Sequence, residues 1–294
     1  MTHLLFLFFF LVGGWLIWLG FRKYREYRIL ADTPRASVRS IPMGLVHLHG
    51  KSTGEDRLTS PLTRTPCYYY KAWVELWTTK VKDDTKEWKT IRTDADARVF
   101  YLDDGTGKVT VIPNNADFYV TRTFQAETGP GARGKRLVDP TLGVAGPSNE
   151  ELLNYMQRVS EAAQTARATL NATVNAMPDS AGKTADKALL GMFGGSSKLS
   201  TDHSNQRLRF TEECLIAARQ CNILGTCAEN PTPKDEHDRN LIQKGVNEPT
   251  FVISDQAEGA LEKKVRRAGL GMILMGALLM LAMVALVLHM DGWL

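Results

Sequence analysis

The sequence predicts an α+β protein: a mostly antiparallel β domain with a helical insertion, flanked by two transmembrane helices. Three observations carry this. Two uncharged stretches, residues 4–21 and 268–288, bracket the chain. Between them lie runs rich in aromatic and β-branched residues, separated by proline- and glycine-containing turns, which is the pattern of strands. A run near the middle, opened by Ser148 and Glu151, has helical periodicity instead. The expected boundaries are 4–21 for a first span, 30–267 for the central domain with residues 123–205 as an insertion, and 268–288 for a second span.

At about 1.5 Å per residue, the stretch from Ala268 to Leu288 is long enough to cross a hydrocarbon core of about 30 Å as a single helix. Arg22, Lys23, Arg25 and Arg28 follow the first stretch with Glu26 among them; Lys263, Lys264, Arg266 and Arg267 precede the second, beside Glu262. Both basic clusters thus face the centre of the chain. The charge rule for span ends then predicts a two-pass protein of the membrane, preferably a bacterial inner membrane, with the central domain cytoplasmic and both termini outside. Trp15 and Trp18 suit a headgroup boundary, and the absence of positive charge before Leu4 argues against a cleaved signal peptide. Removing the two flanks and Asp291 from the formal net charge of +4 leaves about −1 for residues 29–261, so the basic balance gives no support for nucleic-acid binding. Cys67, Cys214, Cys221 and Cys227 form no close pair, which suits a reducing compartment.

In chain order, Asp32-Thr33-Pro34 breaks the first helix, and residues 44–51 read as a strand with Leu45, His47 and His49 on one face and Val46 and Leu48 on the other. Period two would let both histidines reach one metal, but no third ligand is near, and a solvent-facing pair is expected. Residues 67–79 read as a long strand, followed by strands near 88–92, 98–102, 108–112 and 117–120. Asp103-Asp104-Gly105-Thr106-Gly107-Lys108 lacks the full phosphate-loop and calcium-loop patterns and is expected to be a hairpin turn. Residues 129–147 read as loop. Ser148 to Glu151 then cap a helix to about Asn171, whose Leu152, Met156, Val159, Ala163, Ala166 and Leu170 form a seam of heptad type. That seam fits either the chain's own domain or a second copy. Residues 178–200 read as a flexible stretch with a short helix near 185–190. Strands resume near 206–210, 220–227 and 250–254, with a polar loop at 230–240, and a helix opening at Asp255 runs into the second uncharged stretch. Neither stretch holds a Gly-x3-Gly pair, so self-association is expected in the insertion rather than in lipid.

Several motifs in this order carry a resemblance. Ser60, Pro61, Leu62 and Thr63 with Pro66, Cys67, Tyr69 and Tyr70 form one string; Asp104 with Gly107-Lys108-Val109 forms another; Leu224-Gly225 and Phe251 to Asp255 with Glu258 close the set, Ser254 and Asp255 among them. Together they resemble the GIDE, or "beside a membrane" (BAM), domain found in mitochondrial membrane E3 ubiquitin ligases and in prokaryotic membrane proteins. The resemblance implies a mostly β domain between two membrane helices. It implies ubiquitin transfer only where a RING accompanies the domain, and four Cys and six His without any Cys-x2-Cys spacing offer no such site.

No catalytic residue, cofactor site or metal site is singled out by the sequence. A hydrolase would want a Ser-His-acid set or a Cys with a His, and His203 and His237 fall in segments read as flexible or loop. The expected function is that of a membrane-anchored protein-interaction or assembly module. Its expected partners are membrane lipids, an unidentified protein and a second copy of the chain. A sensor or adaptor for a small ligand or lipid is the alternative, and a ligase-like activity is disfavoured.

Overall fold

The computed structural model describes residues 2–79, 85–132, 134, 136–143, 145–159, 161, 165, 206–233, 239–256 and 260–290. Helix α1 is Thr2–Asp32. The strands that follow are β1 (Gly44–Thr53), β2 (Leu58–Thr59), β3 (Pro66–Thr79), β4 (Lys86–Ala97), β5 (Phe100–Asp103), β6 (Lys108–Val111), β7 (Asp117–Tyr119), β8 (Arg122–Thr128) and β9 (Arg136–Val138). Helix α2 covers residues 149–159. Then come β10 (Leu208–Ile216), β11 (Gln220–Glu229), β12 (Asn240–Gln243), β13 (Val252–Ser254) and helix α3 (Ala260–Met290).

Five strands close into a small barrel. β1, β5, β6, β12 and β11 are bonded in that order, and β11 pairs back onto β1 from Gly44 opposite Cys227 to Lys51 opposite Gln220. Every pair in the ring is antiparallel except β6 with β12. By order along the chain the circuit runs first, second, third, fifth, fourth and back to first, the Greek-key circuit of an OB-type barrel. β13 and β7 extend it from β11. Val46 and Leu48 of β1 point inward with Leu102, Val111, Ile223 and Ile242, so the barrel is filled rather than hollow. Gly225 is required inside it: a Cβ there would stand 2.8 Å from the Phe251 ring and 2.9 Å from Ile242. Gly50 plays the same part at the rim, where a Cβ would meet the Asp103 carbonyl oxygen at 2.5 Å.

The second sheet is antiparallel, with β3 between β4 and β10, followed by β8 and β9. Alternation along β3 buries Ala72 and Val74 with Phe124, Ala126, Leu208 and Phe210, and α2 covers this face with Leu152, Tyr155 and Met156. The capping box forms: the Ser148 N–H donates to Glu151 Oε2 at 2.7 Å, and the Glu151 N–H donates to Ser148 Oγ at 3.2 Å. An α+β fold with mostly antiparallel sheets and a helical insertion is therefore present. Residues 122–128 and 136–138, within or beside the stretch expected to be loop and insertion, are instead strands of this sheet.

The flanking helices require a correction. One helix among the described residues, over Arg266–Leu288, is long and apolar enough to cross a membrane, and 6% of it is buried. The expected first span, 4–21, does not qualify. The expected stretch is 18 residues, about 27 Å of helix, closed by Arg22 and Lys23 short of the about 30 Å needed. With a single such helix, the two-pass topology with both termini outside, and the bacterial inner-membrane placement built on it, are withdrawn; much of the chain is the barrel and sheet.

α1 instead lies antiparallel against α3. A Cβ at Gly13 would stand 3.1 Å from the Gly276 carbonyl oxygen, and one at Gly20 would stand 2.9 Å from that of Gly269. Both glycine pairs are spaced by a heptad, so each pair returns to one helix face and lets the backbones touch. Gly14 and Gly271 face open space. Gly276→Val, whose Cβ would meet the Gly13 carbonyl oxygen at 2.7 Å, is expected to destabilise the protein by about 1–3 kcal/mol. Gly271→Val is expected to leave the thermal midpoint in detergent nearly unchanged.

Candidate functional site

The Ser60–Thr63 motif wraps a buried carboxylate. Glu212, in mid-β10 on the covered face of the second sheet, is fully buried. It accepts from the Leu62 N–H at 2.8 Å, the Thr63 N–H at 3.3 Å and the Ser60 and Thr123 hydroxyls at 3.3 Å each, as well as from the Thr63 hydroxyl. The turn is self-braced: Thr63 Oγ1 lies 2.8 Å from Thr65 Oγ1, and the Thr65 N–H donates to Ser60 Oγ at 3.0 Å. Arg64 takes the left-handed conformation, φ 54°, that such a reversal demands. These convergent N–H and O–H dipoles solvate the carboxylate in place of water. With Ser60 and Glu212 both closed to solvent, the cage fixes the turn and seats Leu62 in the core beneath α2. Cys67 and Cys214 sit beside it, both buried and free. Contact with the Cys67 sulfur and burial push the Cys214 thiol up, opposite to what a nucleophile needs.

A second polar group ties three segments together. Arg219, in the turn between β10 and β11 next to Ala218 at φ 64°, reaches Asp139 at 2.8 Å and Asp255 at 3.2 Å, and also donates to the Thr141 hydroxyl. Asp255 accepts from the Thr121 N–H at 2.7 Å. Burial raises Asp139, but hydrogen bonds from Thr141 and Arg219 outweigh it and hold the carboxyl below its usual range. Burial likewise lowers Arg219, and its two aspartates more than reverse this. The clamp lies at the end of β13, on the segment that leads to α3.

α1 is docked on the barrel. Ile29 packs with Leu45, Leu224, Tyr119 and Val252, and Arg25 lies 3.9 Å from Glu248. The linker after α1 folds back along β1, with the Ala36 N–H donating to the His47 carbonyl at 2.9 Å. It then docks on the turn between β5 and β6: the Val38 N–H donates to Asp104 Oδ2 at 2.8 Å and the Arg39 N–H to Thr106 Oγ1 at 3.2 Å. The hairpin turn at Asp103–Lys108 is present, and its Asp104 is a docking point. Burial raises Asp104, while bonds from Val38, Thr106 and Gly107 outweigh this and hold it low. An open cleft of about 560 Å³ lies under the linker, between Pro34, Ser37, Pro42 and Leu45.

The outer face of the second sheet carries aromatic and basic side chains. The Arg209 guanidinium lies 3.9 Å from the Trp88 ring centre and 2.9 Å from Glu127; Arg207 lies over both Trp77 and Trp88 and 2.6 Å from Glu127. Trp73 and Lys71 continue the face along β3. This cluster connects residues from four strands and was not marked by any local motif.

The other sequence-predicted residues fall as follows. Pro66 and Cys67 start β3; Tyr69 stacks on Phe118 at 3.6 Å between ring centres, and burial raises its phenol to about 12. Burial, then Asp94 and Asp96, raise Tyr70 to about 12 as well. Gly107 backs onto Val38, and Ser254 donates to the Tyr119 carbonyl at 2.9 Å. Pro61 lies in the carboxylate-caging turn. Leu152 and Met156 are buried in the chain's own core and Val159 packs against it, so this half of the heptad seam is internal. Glu258, Ala163, Ala166, Leu170 and the expected helix near 185–190 lie outside the described residues. His47 is buried under the linker rather than solvent-facing, and His49 pairs with Asn222 at 2.9 Å. Among the described residues no group of three His, Cys, Asp or Glu is placed to hold a metal ion. Comparison with protein-family models, with curated proteins and with solved structures finds no match.

Glu212→Ala would leave the Leu62 and Thr63 amides without their acceptor and take one acceptor from the Ser60, Thr63 and Thr123 hydroxyls. It is expected to destabilise the protein by about 3–5 kcal/mol in urea unfolding. Glu212→Gln, which keeps one carbonyl acceptor, is expected to cost less.

Proposed function

We propose that the protein is a membrane-anchored binding module that holds a β domain at a fixed pose beside a bilayer. α3 is the anchor, and the half-buried Trp- and Arg-bearing outer face of the second sheet is the surface offered to a protein partner. The observation that carries the reading is the combination in α3 of an uncharged, largely exposed surface with packing against α1, which is docked on the barrel. Leu274, Leu278 and Leu281 are each more than 60% exposed, a cost that water would not tolerate along a whole helix but lipid removes. The domain cannot swing freely beneath it, because α1 packs on α3 and is itself docked through Ile29.

The composition of the sheet face supports the binding role, since Trp and Arg dominate the energetically important positions of protein interfaces. Glu127 and Glu75 hold the two arginines in place, so little side-chain freedom is left to lose on docking. The GIDE-like reading belongs to this proposal too. Its support is that the motif residues sit at structural keystones: the cage around Glu212, the Gly107 dock and the Asp255 clamp. Catalysis forms no part of the proposal.

Placing Arg at both Leu278 and Leu281 puts two charges into the apolar stretch, at about 2.5–3.5 kcal/mol each near a bilayer centre. The wild type is expected to stay in the membrane pellet after alkaline carbonate extraction and the double variant to move to the supernatant. Wild-type protein released by carbonate would contradict the anchor.

A further inference from the structure

We propose that the end of the domain from which α3 departs is a seat for an anionic lipid surface, in which cations of α1 and α3 meet lipid phosphates while Met43 and Val246 dip among the headgroups. The proposal rests on the anchoring role of α3 and adds which lipid chemistry the domain selects and which residues read it.

The helix pair sets the geometry. A Cβ at Gly269 would lie 3.0 Å from the Tyr24 amide nitrogen, and one at Gly20 would lie 2.6 Å from Ile273. Running antiparallel from these contacts, Arg22, Arg25 and Arg28 on α1 share one band with Arg266 and Arg267 on α3, a band about 9 Å tall at 1.5 Å per residue. Two clusters that are far apart in sequence thus become one collar. The uncharged stretch of α3 starts at Ala268, directly beyond it. Arg28 is engaged by Asp32 at 3.0 Å, and Arg25 is loosely paired with Glu248 at 3.9 Å. Arg22, Lys263, Arg266 and Arg267 are exposed, and among the described side chains none of them has a carboxylate partner. A helix that enters hydrocarbon at Ala268 carries these four charges to the depth of the phosphates, where each is attracted to an anionic leaflet.

Two exposed apolar side chains mark the same end independently. Val246 is 99% exposed and Met43 59% exposed. A single exposed apolar residue is ordinary, but Val246 is tied to the collar through its loop and Met43 to that loop through β1. The loop holding Val246 reaches Arg25 through Glu248, and Gly245 lies against Thr226, the register partner of Leu45. Met43 immediately precedes that strand. Tyr24 and Tyr27, with ring centres 5.5 Å apart, add the amphipathic rings favoured at a headgroup boundary. Cations, aromatic rings and apolar tips at one end of the domain fit an anionic lipid surface better than a soluble anion, which would use the cations alone.

The test uses the full chain with Val246→Cys labelled by an environment-sensitive NBD dye; the four native cysteines are buried, which directs the label to position 246. Emission is compared in nanodiscs of phosphatidylcholine alone and of phosphatidylcholine mixed with phosphatidylglycerol. The seat is expected to give bluer and brighter emission in the mixed discs. That gain is expected to vanish in the Arg22→Gln/Arg266→Gln/Arg267→Gln variant, and in about 1 M salt, where the screening length falls to about 3 Å. Equal emission in the two lipids, or a gain that survives in the variant, overturns the seat while leaving the anchor standing. Protein that stays with neither disc overturns the anchor and the seat together.

Discussion

The contact on which the rest of the arrangement depends is the close approach of α1 and α3 at Gly13, Gly20, Gly269 and Gly276. Without side chains at these points two backbones come within van der Waals reach, and dispersion contacts accumulate along both helices. Everything at the neck follows from that register. It brings the two basic clusters to one level and gives α3 a rigid companion that is docked into the barrel through Ile29. The exposed aromatic surface of α1, with Trp15, Trp18 and Phe21, is the face left after the glycine side is used.

The domain itself is organised by two polar groups in places where apolar residues would be the simpler choice. Glu212 is caged by N–H and O–H donors, so its cost of burial is offset only in the one conformation where the turn closes on it. Arg219 joins three loops that a hydrophobic contact would bring together less specifically. Glu212 lies within the second sheet, and Arg219 lies at the turn that leads from that sheet to the barrel and reaches the segment before α3.

Local chemistry was legible in the sequence and long-range chemistry was not. The Ser148 to Glu151 box, the Asp103–Lys108 turn and the long β3 strand each depend on residues within one short window, and each is present in the structure. The partner of the Ser60–Thr63 motif lies some 150 residues away in sequence, and no local pattern marks Glu212 as its ligand. Barrel closure is equally remote, since the β1–β11 and β6–β12 pairings span an insertion. β8 was hidden because Arg122 to Thr128 lies against a glycine- and proline-rich loop whose composition dominates the window. His47 alternates correctly with His49, yet the linker that covers it comes from outside the strand. The glycines were visible, but a search at four-residue spacing overlooks the seven-residue repeat by which Gly13 and Gly20 meet Gly276 and Gly269. For α1, hydrophobic length alone suggested a span, whereas its glycine face is committed to α3.

The arrangement depends on α1 and α3 forming one antiparallel unit in the full chain. The direct measurement is dipolar broadening between nitroxide pairs in the reconstituted full chain, one label at Trp18 and the other at Leu274 or at Leu288. All three positions are exposed, and the glycine register sets Trp18 level with Leu274 and far from Leu288. Strong broadening for the Trp18/Leu274 pair with little for Trp18/Leu288 is expected. Equal or absent broadening in both pairs would mean that the helices do not pair in this register, and the collar would not exist.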